Sequence, residues 1–300
     1  FWKSYYQKIT NTMDNIIGAK AMKKILKYIE VILTIALLAF IAIKSQDFLK
    51  AVDWSRIPDV WFSILIAAIL FTIGYSMLAQ HWLLVAREII PKITSSQRLA
   101  FFASQPYKYL PTSLFTLSFR AKYAGKLGMG LKDSSKAQII ENINMVCTAL
   151  ILAGVLLLFF WNGLIGVIAI AILGFFVAIL WKNHHITIRV FKTGIKLHMR
   201  CWLKAVGWCL MAWTVVGCGL YVLAASLEPN INIFKSIAAS SLAIGSGMLV
   251  IIAPGGIGVR EAIFASFGFI ASTIIIWRCI TFVVDIIIGV LSIYVIERRR

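Results

Sequence analysis

The chain has 300 residues, 60% of them hydrophobic and 14% charged, with a mean hydropathy of +0.88. Several uncharged stretches reach the ~20 residues that a spanning helix needs, which sets aside a soluble domain and defines a polytopic, all-α membrane protein. Thirty basic residues against twelve acidic ones give a net charge of +18. In so apolar a chain that excess reads as orientation signal and contact with anionic lipid headgroups, not as a nucleic-acid surface.

Residues 1–24 read as an interfacial amphipathic segment, with Trp2, Tyr6, Ile9, Met13 and Ile16 along one stripe. The chain opens on Phe1, and no cleavable signal peptide is legible: the apolar core Val31 to Ile43 lacks a small-residue cleavage pattern and reads as a retained span over 25–43. Asp47, Lys50, Asp53, Arg56 and Asp59 alternate in a short solvated connector before a second span at 60–86. Segment 98–120 is apolar but interrupted by Pro106 and Pro111, as a re-entrant hairpin would be. Forty uncharged residues from Asn142 to Trp181 are too long for one span; they break at Trp161-Asn162-Gly163 into spans at 139–160 and 164–181. In 184–204, Arg189, Lys192, Lys196 and Arg200 face a stripe of Ile188, Phe191, Ile195 and Trp202, which predicts an interfacial helix. A span at 205–227 follows, then a second interrupted segment at 233–271 and a last span at 273–296. The five cysteines form no Cys-x-x-Cys pair, and four of them fall in or beside apolar runs, so all are read as small buried hydrophobes.

Lys and Arg accumulate on the cytoplasmic side, which orients the layout. With the N-terminus inside, residues 1–27, 87–136, 182–204 and 298–300 hold 24 of the 30 basic residues. Both termini are then expected in the cytoplasm, and 233–271 must return rather than cross. Residues 25–160 read span, span, re-entrant segment, span; residues 164–296 repeat that order from the opposite side. Six spans plus two re-entrant hairpins in an inverted repeat is an arrangement common in transporters, whose sites lie where broken helices meet.

The densest chemistry lies in Ala253-Pro-Gly-Gly-Ile-Gly-Val-Arg-Glu-Ala262, where uncharged residues 236–259 run into Arg260 and Glu261. Backbone broken at membrane depth needs protein or a polar cavity around it, and intramembrane charges mark sites. Gly255, Gly256 and Gly258 precede a predicted helix start, where free N–H groups and the positive dipole end favour an anion such as a phosphate. Arg278 and Asp285 share a helix face about 10.5 Å apart along the axis, too far for a direct pair. Glu261 is the natural partner of Arg278, leaving Arg260, Glu141 and Arg120 for the remaining charges. A purely structural network is the alternative, because buried charges pair whatever they do.

The run Pro254 to Ala262, followed by Arg278, resembles the signature of the lysylphosphatidylglycerol synthase transmembrane-region family, the flippase half of the bacterial multiple peptide resistance factor. Pro111, Arg120 and Glu141 follow the order of that family's Pro…Arg…Glu positions, with Lys132-Asp133-Ser134 as the short loop before the Glu-bearing helix. Thr112 to Phe119 contains neither the glycine nor the acid that the family often carries after its proline. The resemblance, over about 25–296, implies a lipid translocator of the bacterial inner membrane, with aminoacylated phosphatidylglycerol the best-known cargo. The aminoacyl-transferase domain has no counterpart within these 300 residues, so synthesis is not carried over. Candidate partners are a phospholipid or polyisoprenoid-linked lipid, a glycosyltransferase or lipid-synthesis enzyme, and a second copy of the chain.

No nucleotide-binding loop is present, so passive or ion-coupled transport is expected unless a partner supplies energy. His184, His185 and His198 lack acidic companions, and neither a metal nor a cofactor is expected. The enzymatic alternative is a glycosyltransferase using a lipid-linked sugar, with Asp47, Asp53 and Asp59 as its carboxylates; the short outer loops favour the flippase.

Overall fold

The computed structural model describes residues 54–110, 113–161, 185–190, 193–250 and 254–298, with isolated positions between 163 and 171. The expected segment 1–24, span 25–43, the turn at Asn162, most of span 164–181, and Asp47, Asp53 and Pro111 lie outside the described residues. The described elements, in order, are α1 (Ile57–Ile89), α2 (Gln97–Ser104), α3 (Ser113–Lys126), α4 (Leu131–Trp161), a hairpin of β1 (His185–Val190) and β2 (Thr193–His198), α5 (Met199–Leu227), α6 (Ile233–Leu249), α7 (Val259–Ser266) and α8 (Ala271–Arg298).

Four of these helices, α1, α4, α5 and α8, are long and apolar enough to cross a membrane, which makes the chain a multi-pass membrane protein. At 1.5 Å per residue the 33 residues of α1 run about 50 Å, more than a hydrocarbon core of about 30 Å. Their outward surfaces are as apolar as their inward ones. On α1, Trp61, Leu65, Ile69 and Ile73 form an exposed stripe at four-residue spacing, while Ala67, Phe71, Leu78 and Trp82 are buried. In water that stripe would be a liability; against lipid tails it is a match.

The core is built on α1 against α5. Arg56, just before α1, donates from Nη1 to the Leu227 carbonyl, Gly219 faces Ala67 and Leu70, Gly74 faces Ala212, and His81 Nδ1 lies 2.9 Å from the Ala205 carbonyl oxygen. Residue numbers rising along α1 thus fall along α5, and the two helices are antiparallel over their full length. Small residues at the crossing bring the backbones together, as dispersion-driven packing in lipid requires. Outside this pair, α2 packs on α8 and α6 packs on α4.

Three expectations are corrected here. Residues 185–198 form an antiparallel hairpin, His185 opposite His198 and Val190 opposite Thr193, not an interfacial helix. The same sequence that spaces its basic residues helically also alternates with period two and is rich in β-branched Ile186, Thr187, Ile188 and Val190, which favours strand. Among the cysteines only Cys209 is buried; Cys147 and Cys279 are exposed on apolar helices. Lys132-Asp133-Ser134 is the first turn of α4 and not a loop, with Asp133 paired to Lys136 one turn on.

Candidate functional site

The glycine-rich segment forms a tight turn because its residues can take backbone angles that side chains disfavour. Gly255, Gly256 and Gly258 have φ of 57°, 70° and 88°, in the left-handed region. The turn folds the chain back onto the end of α6, so that Gly256 lies against Gly247. A Cβ on Gly247 would stand 2.7 Å from Arg260 Nε, and one on Gly256 would stand 2.8 Å from it. The Arg260 side chain therefore lies across bare backbone.

The start of α7 is capped from within. Glu261 reaches back three residues and accepts the Gly258 N–H at 2.6 Å through Oε2, while its Oε1 pairs with Arg278 Nε at 2.7 Å. Arg278 also donates from Nη2 to the Gly255 carbonyl at 3.4 Å. The expected pairing of Arg278 with Glu261 is present. The anion expected at this helix start is supplied by Glu261 itself, and the exposed Gly258 is not among the residues that line the cavity between the two breaks.

The first interrupted segment breaks differently. After α2 the chain tightens into a 3-10 turn over Gln105–Tyr109, with Pro106 in its first positions. This turn delivers Lys108 Nζ to Asp285 Oδ2 at 2.6 Å and to the Tyr75 hydroxyl at 2.6 Å, and Tyr109 donates its hydroxyl to Asp285 Oδ2 at 2.7 Å. Asp285 is fully buried on α8. Its partner is thus Lys108, which the charge count had assigned to a cytoplasmic loop. On α3, Arg120 forms a buried ion pair with Glu141 of α4, donates from Nε to Ser104 Oγ at 2.9 Å, and stands over the rings of Phe101 and Trp82.

Between the two breaks lies a cavity of about 350 Å³. Three cations reach its wall: Lys108, Arg120 and Arg260. Gln105, Thr116 and Asn142 supply neutral polar groups, and Leu78, Met145, Ile244 and Met248 are among its apolar lining. Among the described residues, no Asp or Glu lines it. Glu141 and Asp285 hold Arg120 and Lys108 without reaching the wall, whereas Arg260 has no ion pair or hydrogen bond among the described residues and its Nε is buried. A buried cation without a counter-charge is costly, by several kcal/mol in ordinary cases, and an incoming anion removes that cost.

Of the residues expected from sequence, Gly255, Gly256, Arg260 and Arg120 line the cavity, Glu141 and Asp285 anchor its cations, and Glu261 and Arg278 brace the turn. Lys108, Tyr75, Tyr109, Gln105, Thr116 and Asn142 were not expected. Lys108 had one legible signal: a lone cation between two prolines and two tyrosines inside an apolar segment. Fold and cavity together define a multi-pass membrane protein with a cationic cavity between two helix breaks. Compared with known families and with curated proteins, the chain matches no family model and no curated sequence.

Proposed function

We propose that the protein is a lipid translocator of the bacterial inner membrane, whose cavity passes the anionic headgroup while the acyl chains stay in the bilayer. The observation that carries this reading is Arg260: a cation on the wall of a cavity that, among the described residues, has neither a carboxylate in its lining nor a partner for Arg260. The resemblance to the lysylphosphatidylglycerol synthase transmembrane-region family supports lipid movement as such; it does not extend to that family's amine-bearing cargo, which a cavity lined by cations does not suit.

The finer architecture belongs to the same proposal: six spans, two re-entrant segments at 98–120 and 233–271, an inverted repeat, and both termini in the cytoplasm. Support comes from the repeated order of long helix, broken segment, long helix in 57–161 and 199–298. The equivalent helices α1 and α5 are antiparallel, and the broken segment of each half packs on the last long helix of the other. A two-fold axis in the membrane plane relates halves in this way.

The test is reconstitution of the full chain in vesicles bearing fluorescent phosphatidylglycerol in one leaflet. Transfer to the other leaflet is expected to accelerate, and Arg260→Gln or Gly256→Leu should slow it about tenfold, the effect of losing one charge-assisted contact. A rate equal to that of protein-free vesicles would sink the reading. External labelling at Lys50, Asn162 and Asn230, with cytoplasmic labelling of the C-terminus, checks the topology.

A further inference from the structure

We infer that the cavity selects headgroups that carry a phosphate and a neutral polar remainder, such as a polyol or sugar, and turns away headgroups that carry an ammonium group. The inference rests on the translocator reading and sharpens the chemistry of the same site.

Charge is the first argument. Lys108, Arg120 and Arg260 line the cavity, and no carboxylate does among the described residues. An ammonium entering there meets like charge in a poorly screened setting; its possible counter-ions Glu141 and Asp285 are fully buried, lie off the cavity wall, and are each held through one carboxylate oxygen by Arg120 and Lys108. A phosphate finds the reverse, because Arg260 Nε is buried and lacks a partner among the described residues.

Aromatic faces are the other means by which proteins hold an ammonium. Among the described residues three aromatics line the cavity, and two already carry the protein's own cations: Lys108 Nζ lies 4.8 Å from the Tyr75 ring centre and the Arg120 guanidinium 4.7 Å from that of Phe101. Trp213, the third, is fully buried, with its Nε1–H donated to Thr148 Oγ1 at 3.1 Å. What remains for the rest of a headgroup is neutral: Gln105, Asn142 and Thr116, whose buried Oγ1 has no partner among the described residues. Such groups match hydroxyls, which both donate and accept.

Displacement of a fluorescent phosphatidylglycerol from the purified full chain by competitors with identical acyl chains tests this. Phosphatidylglycerol should displace the probe at a concentration at least about tenfold lower than phosphatidylethanolamine, and lysylphosphatidylglycerol should be weakest. Asn142→Asp puts a carboxylate on the wall at nearly constant volume and should narrow the preference to about threefold or less. Arg260→Gln should narrow it as well, which keeps the test open if one variant misfolds. Equal displacement by the three lipids, or a preference for either amine-bearing lipid, overturns the inference. Selective binding without accelerated transfer in vesicles leaves the selectivity standing and removes the translocator reading; transfer of all three lipids alike, with equal displacement, does the opposite. Glycerol phosphate is run in the same assay: if it displaces the probe as well as phosphatidylglycerol does, the phosphate chemistry holds and its source is an aqueous solute instead of a lipid.

Discussion

Residues 254–261 turn the chain with backbone, through three glycines at positive φ, whereas residues 105–109 turn it with a proline-led 3-10 segment whose side chains reach across to α1 and α8. Each turn brings a cation to the same cavity. At the proline break Lys108 meets Asp285, and the helix that follows brings Arg120 to Glu141. At the glycine break the volume that side chains would fill is taken by Arg260, which lies on bare backbone and has no carboxylate partner among the described residues. Where side chains make the turn, its cations are tied to carboxylates; where backbone makes it, Glu261 and Arg278 brace the turn and Arg260 is left over for a ligand.

Removing the partner of a tied cation should cost most. Glu141→Gln leaves Arg120 buried and unpaired, and a loss of about 3–5 kcal/mol is expected, read as a large fall in thermal unfolding temperature at fixed detergent. Asp285→Asn should behave alike through Lys108. Adding Arg120→Gln to Glu141→Gln should recover much of the loss, whereas additive damage would mean that the pair is not a unit.

Gly256→Ala comes next. An L-residue at φ 70° costs about 1–2 kcal/mol, and its Cβ would also press on Gly247 Cα at 2.9 Å. A stability equal to wild type would show that the turn relaxes freely and does not hold Arg260 in place.

Glu261→Gln should cost less, about 1 kcal/mol, since glutamine keeps an oxygen for the Gly258 N–H and loses only the charge facing the partly exposed Arg278. Coupling near zero in a double-mutant cycle with Arg278→Gln would remove the brace from the account.

The smallest stability effect is expected at Arg260. Arg260→Gln gives up no partner and should stay within about 0.5 kcal/mol of wild type, or rise above it, while lowering affinity for phosphatidylglycerol. A destabilisation as large as that of Glu141→Gln would erase the distinction between the two breaks.

The four long helices were legible because apolar runs of that length have few alternatives to spanning lipid, and only their ends differ from expectation. The turn at 254–261 was legible because proline, glycine and charge inside an apolar run contradict ordinary helix. The separation of Glu261 from Gly258 even carries the return half of a capping box, although the glycine hid it by offering no side-chain oxygen. Lys108 was missed because a count of basic residues treats any lysine flanking a span as orientation signal, and its carboxylate partner lies far along the chain. The hairpin was missed because one sequence satisfied both a helical charge spacing and a two-residue alternation, and the charge spacing was weighed above the β-branched Ile186, Thr187, Ile188 and Val190 that favour strand.

The spacing of the two tied pairs bears on how the molecule is made. Glu141 follows Arg120 by 21 residues, so this pair closes within the first half of the chain. Asp285 follows Tyr109 by 176 residues. At roughly 5–20 residues per second, the ribosome needs on the order of 10–30 s to supply it after the 105–109 turn has emerged. During that interval Lys108 has no Asp285 to meet, and the face of α1 around Gly74 awaits α5. Nascent first halves should therefore be held by insertion machinery or by anionic headgroups until α8 arrives, and truncation before Asp285 should yield a species cleared by membrane proteases.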